Sequence, residues 1–481
     1  MTRLRAICRL CISRSLLIGA LSIVASLVVA CSPDAGAETS SPQPLEIAAS
    51  DLSKPGFGDF RFVAQDGNPL TVNYYRASAF QTSDSPIWFV MHGASRDAER
   101  YIELAAPVAE RYNALALVVH FPKSFYRRSG DYTLNVTTHG RADASALAQG
   151  RWKQPERYLY MELERVFDAV KVATGGTQEG YYLFGHSAGA QFTHRFLTFM
   201  PEHRVLRAVA ANAGWYTLPM SARQPAVTMP YGLANSPVDD AMRRNLLNAP
   251  LTILVGERDT ATPAESSMVL DTPQAMAQGK NRFQRARHYF EAGQAAADEL
   301  QTSLSWRFEV VPRARHSARQ MVGSAAHYLF DNDAESCSPT PADQARGLRI
   351  TELLADPPAD ISGDVNQDAV RDSLADEFIE LVNTGDTPIC LAGWAIGDAK
   401  EPERHVFPLG TLLEGGATIV VFGGGQPTGS FGDAQVQWAA FDGKLSLSND
   451  GDVITIRDRE DRIVDQVSWG DCDSRVCAAM H

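Results

Sequence analysis

The sequence predicts a mostly parallel β-sheet with helices on both faces, followed by a smaller all-β domain. Three observations predict it. Between residues 86 and 312, continuous apolar runs of strand length alternate with amphipathic stretches and end at glycine or proline. Beyond residue 346 the apolar runs are short and bounded by glycine, asparagine and aspartate. At 481 residues the chain exceeds one ordinary domain, and the polar stretch "DNDAESCSPTPADQARG" (331–347) divides it.

The first thirty residues stand apart. Arg3, Arg5, Arg9 and Arg14 precede the apolar run "LLIGALSIVASLVVA" (16–30), which has signal-peptide length and is short for a membrane span. It ends in "LVVAC", which resembles the lipobox of bacterial lipoproteins. That resemblance implies cleavage before Cys31 and a diacylglycerol on its thiol. Ser32, where an aspartate would retain the chain at the inner membrane, implies an outer-membrane destination in a Gram-negative cell. An ordinary signal peptide and secretion are the alternative. The tether "SPDAGAETSSPQP" (32–44) follows. The expected organisation is a signal peptide at 1–30, a linker at 31–54, the α/β domain at 55–331, a linker at 332–346, the all-β domain at 347–470 and a tail at 471–481.

In the α/β region, "PIWFVMHG" (86–93) and "ALALVVHFP" (114–122) read as buried strands. "YLYMELERVFDAVKVA" (158–173) reads as a helix, because Leu159, Leu163, Val166, Phe167 and Val170 share one face; Gly175 and Gly176 stop it. "GYYLFG" (180–185) is the next strand and "AGAQFTHRFLTFM" (188–200) the next helix. "RAVAANAG" (207–214), "PLTILVG" (250–256) and "SWRFEVVP" (305–312) complete the series. Chemistry in such sheets gathers at the carboxyl ends of the strands.

At one such end stands Gly185-His186-Ser187-Ala188-Gly189. A nucleophile needs a sharp turn that projects its hydroxyl from the sheet, small neighbours that let strand and helix approach, and the positive end of a helix. Serine also needs a base. The expected chain order is serine, acid, histidine. Asp259, in "VGERDTATP", and His316, in "VVPRARHSA", each fall just past a strand end. The predicted roles are attack by Ser187, proton transfer by His316, and orientation and charge stabilisation of the imidazole by Asp259. Glu257 is the alternative acid. His186 points away from its neighbour and reads as a packing residue, as do His288 and His327. Backbone N–H groups of Ala188 and Ala94 are the expected oxyanion donors. His92 shapes the Gly93–Ala94 loop beside the substrate. Trp215 and Tyr216 line an acyl pocket or belong to the core.

These features resemble the α/β hydrolases over residues 55–330, through His92-Gly93, the Gly-His-Ser-Ala-Gly elbow, the Gly-x-x-Asp loop at 256–259 and His316. Within them the segment is similar to secreted esterases of the polyhydroxybutyrate-depolymerase and feruloyl-esterase kind, which implies an ester substrate, small or polymeric. Residues 346–470 resemble the lamin tail domain, an immunoglobulin-like sandwich. "ITELLADP", "DEFIELVNTGDTPICLAGWAIGD", "LSLSNDGDVITIRD" and "VDQVSWG" carry this resemblance, and it implies Trp394 in the core and a protein- or polymer-binding accessory.

Four cysteines remain in the exported chain, and in an oxidising compartment they pair. Cys337–Cys390 with Cys472–Cys477 is expected. In "DVNQDAVRDSLADE", Asp364, Asn366 and Asp368 alternate as in a calcium loop, with Asp372, Asp376 and Glu377 behind them. Ala369 and Ala375 break the EF-hand pattern, so a distorted calcium site and an acidic solvated loop both stand. No cofactor is expected for catalysis. From 345 to 481 there are 24 acidic residues against 10 basic, a net charge of −14, and the rest of the chain is near neutral at +1. That balance repels phosphates and argues against nucleic acid. The expected function is an exported, lipid-anchored serine esterase with a C-terminal binding module. A non-catalytic surface lipoprotein with a vestigial hydrolase fold and a serine peptidase are the alternatives.

Overall fold

The structure, a computed structural model, describes residues 45–47, 52–136, 152–220, 228–331, 337–427, 429–439, 441 and 443–470. The signal segment, Cys31, the tether, Cys472 and Cys477 lie outside the described residues. Among the described residues no helix is long and apolar enough to cross a membrane.

The α/β domain begins with β1 (Gly56–Val63) and β2 (Pro69–Arg76), then β3 (Ile87–Met91), α1 (Ala98–Arg111), β4 (Leu115–His120) and the short α2 (Ser129–Thr133). Next come α3 (Met161–Thr174), β5 (Tyr181–His186), α4 (Ala188–Phe199), β6 (Val205–Ala211), α5 (Asp240–Asn248) and β7 (Leu251–Gly256). It ends with α6 (Pro273–Gln278), α7 (Arg282–Leu300), β8 (Arg307–Val311) and α8 (Ala318–Phe330). The eight strands form one sheet in the order β1-β2-β4-β3-β5-β6-β7-β8. Strands β3 to β8 run parallel, whereas β1 and β2 are antiparallel at one edge.

The central strands are apolar throughout because helices cover both faces. Every residue of β3 and β7 is buried. In α3, Leu163, Val166, Phe167 and Val170 are wholly buried, and Gly175, at φ 68°, closes the helix in the left-handed conformation. Sequence reading missed β1 and β2. Arg61 sits between Phe60 and Phe62 in β1, and burial alternates there, so no continuous apolar run announces the hairpin.

The C-terminal domain holds β9 (Leu348–Leu354), β10 (Phe378–Asn383), β11 (Ile389–Cys390), β12 (Ala395–Gly397) and β13 (His405–Val406). These are followed by β14 (Leu412–Leu413), β15 (Thr418–Phe422), β16 (Gln435–Trp438), β17 (Gly451–Arg457) and β18 (Ile463–Gly470). One sheet has the order β16-β15-β10-β9, the other β13-β12-β17-β18, with β11 and β14 as a separate pair. Ile379, Leu381, Ile419 and Val421 of the first sheet meet Ile396, Ile454 and Ile456 of the second, with Trp394 fully buried among them. This is an immunoglobulin-like sandwich.

The two domains share a core. Cys390, Ala392 and Leu409 of the sandwich pack in one cluster with Met321, Val322, Ala325 and Leu329 of α8. The described residues from 45 to 470 accordingly form one compact unit. The described part of the expected linker is no free tether. Cys337 is disulfide-bonded to Cys390. The Thr340 amide donates to the Cys390 carbonyl at 3.1 Å and that of Ala342 to Asp458 Oδ2 at 3.3 Å.

Candidate active site

Ser187 joins β5 to α4 with φ 58° and ψ −112°, a backbone that non-glycine residues rarely adopt. The turn is that sharp because strand and helix touch. A Cβ on Gly189 would lie 2.0 Å from the Met91 carbonyl oxygen, and one on Gly185 2.2 Å from that of Gly189. The Ser187 amide donates to the Ala211 carbonyl of β6 at 2.9 Å, which ties the turn to the sheet.

Two loops converge on the serine. His316 Nε2 lies 3.1 Å from Ser187 Oγ, and His316 Nδ1 lies 2.8 Å from Asp259 Oδ2. Asp259 is 2% exposed. Its other oxygen, Oδ1, accepts from Arg282 Nη1 at 3.2 Å, and Arg282 also donates to the Met268 carbonyl. The sequence-expected trio is therefore brought together. Glu257 is not: its carboxylate accepts from the Arg313 amide at 2.7 Å. The chemistry available is proton transfer from the hydroxyl to the imidazole, with a buried carboxylate holding the ring by its far nitrogen.

The loops are themselves tied together. Asn212, at the end of β6 with φ 53°, is fully buried. Its Oδ1 accepts from the Gly256 amide at 2.8 Å and its Nδ2 donates to the Arg315 carbonyl at 3.1 Å. One side chain thus spans the loop of Asp259 and the loop of His316. Arg282 and Asn212 were both missed in the sequence. The only signal for Asn212 was a polar residue closing an apolar strand, and Arg282 gave none.

The loop after β3 carries Gly93 and Ala94. Arg96, also at positive φ and 6% exposed, braces it: its guanidinium donates to the Phe121, Tyr126 and Arg128 carbonyls and lies 4.1 Å over the Tyr132 ring. Tyr132 in turn donates to the His92 carbonyl at 2.9 Å. His92 itself is fully buried, and its Nε2 accepts from the Phe121 amide at 3.2 Å. Burial, then the Arg96 charge, lower its pKa to about 3, so it is a neutral acceptor. It supports the loop and does not line a substrate pocket, which corrects the sequence expectation.

His186 is a neighbour of the relay but not a member. Its Nδ1 meets the Tyr101 hydroxyl at 2.9 Å, and Tyr101 is also hydrogen-bonded to the Gly93 backbone. The imidazole centroid lies 4.9 Å from that of His316. Burial, followed by the charges of His316, Arg282 and Arg100, pushes His186 well below its ordinary range. The ring beside His316 is therefore neutral.

Ala188 opens α4, so its N–H sits at the positive end of that helix, next to the serine. Ala94 follows Gly93, where an added Cβ would come 3.8 Å from Ser187 Cβ. Trp215 is half-buried, with Arg195 4.2 Å over its ring and Tyr231 4.5 Å away. Tyr216 is wholly buried and stacked on Tyr289 at 4.4 Å, so it is a core aromatic and not a pocket wall.

The acidic loop of the sandwich is held by its own backbone. Asp364 accepts from the Asp368 and Ala369 amides, Asp372 from those of Leu374 and Ala375, and Asp368 from those of Val370 and Gln426. Asn366 Oδ1 accepts from the Asp368 amide. Among the described residues no group of three or more histidines, cysteines and carboxylates is arranged to hold a metal ion.

This sheet order, with the serine turn after β5 and acid and histidine after β7 and β8, defines an α/β hydrolase fold. Poly(aspartic acid) hydrolase-1 from Sphingomonas sp. KT-1 is 35% identical over 58% of this chain and 100% of its own, with a TM-score of 0.52. The LpqC poly(3-hydroxybutyrate) depolymerase from Bordetella parapertussis is 31% identical over 62% of this chain and 96% of its own, with a TM-score of 0.54. The lamin tail domain family matches residues 341–471. No curated protein matches the chain. The chain belongs to the α/β-hydrolase family of these two enzymes and carries a lamin tail domain at its C-terminal end.

Proposed function

We propose that the protein is an exported serine hydrolase, anchored by a lipid on Cys31, that cleaves carboxylic esters through an acyl-enzyme on Ser187. His316 takes the serine proton and returns it to the leaving alcohol. Asp259 keeps the imidazole in the tautomer that accepts at Nε2 and stabilises its positive form. The N–H groups of Ala188 and Ala94 bind the oxyanion. The observation that carries this reading is the relay of 3.1 Å and 2.8 Å through His316, set on a strained turn at a helix N-terminus. Export and the anchor rest on the basic, apolar and LVVAC pattern of the first 31 residues.

The test is hydrolysis of short-chain p-nitrophenyl esters and labelling by a fluorophosphonate. Wild type should do both, and Ser187→Ala should fall to background in each. A wild-type protein that neither turns over a broad ester panel nor takes the label ends the enzyme reading in favour of a vestigial hydrolase. A second substrate reading is favoured by the 35% identity to a poly(aspartic acid) hydrolase: a polymer joined by amide bonds. Turnover of poly(aspartic acid) exceeding that of poly(3-hydroxybutyrate) would select it.

A further inference from the structure

The relay loops are braced from an unexpected side. Glu403, in the sandwich between β12 and β13, is 7% exposed. Its carboxylate forks to two arginines of the hydrolase domain. Arg258 Nη1 and Nη2 donate to it at 2.7 Å and 2.8 Å, and Arg313 Nη1 donates at 2.8 Å. Arg258 immediately precedes Asp259, and Arg313 lies three residues before His316. Arg313 is held in the left-handed backbone at φ 59°, a conformation that persists only where surrounding contacts enforce it. Its Nη2 donates further to the Asp458 carbonyl at 3.0 Å and to Asp461 at 2.7 Å, both in the β17–β18 turn.

The contact continues along the chain on both sides of His316. Pro312 packs against Gly393, where an added Cβ would lie 2.7 Å from the proline ring. The Leu409 amide donates to Ser324 Oγ at 3.0 Å, and Gln320 donates to the Phe441 carbonyl at 3.3 Å. Gln320 also accepts from the Arg315 amide at 2.7 Å, next to His316. The sandwich therefore grips His316 from before and after, and Asp259 from before.

We propose that the lamin tail domain is an intramolecular part of the active site, with Glu403 as the positioning residue that sets the Asp259 loop against the His316 loop. This rests on the serine-hydrolase reading above. The carboxylate touches no substrate. It bridges two guanidinium groups, with Asp461 supplying the second negative charge, and fixes the separation of the loops from which they project, so the His316–Asp259 distance is inherited from a domain boundary. Rate in such a relay is sensitive to displacements near 1 Å, whereas binding of a small acyl group is not.

The experiment uses the full exported chain without its lipid signal. Glu403→Gln keeps the shape and loses the charge; Glu414→Gln, on an exposed carboxylate of the same domain, is the control. The expected result for Glu403→Gln is a fall of about 10- to 100-fold in kcat on p-nitrophenyl acetate and in the rate of fluorophosphonate labelling, with KM within about twofold of wild type. Glu403→Asp, which keeps the charge, should recover part of the loss. A Glu403→Gln protein with wild-type kcat and labelling, whatever its melting temperature, overturns the proposal and leaves Glu403 as interface packing. If Glu403→Gln does not fold, Arg258→Met, at a partly exposed side chain, is read by the same split between kcat and KM. Absence of labelling in wild type would instead refute the hydrolase reading, so the two failures are distinguishable.

Discussion

The Asp259 site makes a prediction that depends on hydrogen-bond inventory alone. Both carboxylate oxygens face donors: Oδ2 meets His316 Nδ1 and Oδ1 meets Arg282 Nη1. Asparagine offers one acceptor and one NH2 group. Arg282 is 4% exposed and its guanidinium has donors and no acceptor, so it claims the amide oxygen. The NH2 then faces His316 Nδ1, which becomes the acceptor, and the ring proton moves to Nε2. That tautomer cannot take the Ser187 proton. Asp259→Asn should lower kcat about 10⁴-fold, the loss seen when this swap imposes the wrong tautomer in a serine protease. Arg282→Met in the Asp259→Asn background frees the amide to turn its oxygen to His316. The double variant should therefore be faster than Asp259→Asn alone, while Arg282→Met by itself is slower than wild type. Initial rates on p-nitrophenyl butyrate, with circular dichroism to confirm folding, measure all three. Asp259→Asn at near wild-type rate, or a double variant no faster than the single, refutes the reasoning.

Two further outcomes follow from packing and charge. Gly189→Ala places a methyl 2.0 Å from the Met91 carbonyl oxygen, so α4 must move off β3; a loss of about 2–3 kcal/mol in urea unfolding, with reduced kcat, is expected. Glu377 is 1% exposed, and burial raises its pKa from 4.5 to about 7, so its contribution is present below pH 4.5 and lost as pH rises through about 7. Glu377→Gln cannot ionise: it should match wild type near pH 4 and exceed it above pH 7.5 by at most about 3 kcal/mol, and equal stabilities at pH 8 would contradict this.

The relay was legible because each member obeys a local rule. The elbow needs glycines within its own five residues, and Asp259 and His316 follow strands that are buried on both faces and so stand out as apolar runs. The strands that escaped, β1 and β2, lie at the sheet edge, where Phe60 and Phe62 alternate with charged or polar neighbours. What braces the relay was not legible either. Arg96, Asn212 and Arg282 act through partners 14 to 103 residues away. His92 was expected beside the substrate, and Tyr216 either at an acyl pocket or in the core, because both follow strand ends. Each turns inward, His92 onto the Phe121 amide and Tyr216 onto Tyr289.

The contact between the domains was hidden for the same reason. Composition changes sharply near residue 331, and the net charge of −14 beyond residue 345 reads as solvated acidic surface. Part of that charge is turned toward the hydrolase domain instead. Glu403 and Asp461 meet Arg258 and Arg313, residues separated from them by 145, 90 and 148 positions, so no window along the chain could pair them. Apolar contact follows the same division: α8 buries Met321, Val322 and Ala325 against a cluster that includes Cys390 and Leu409 of the sandwich. A helix that leads directly out of the His316 loop therefore owes one of its faces to the lamin tail domain. Where composition breaks, the chain changes fold class; where burial and ion pairing continue, the two domains share one core and one set of ion pairs.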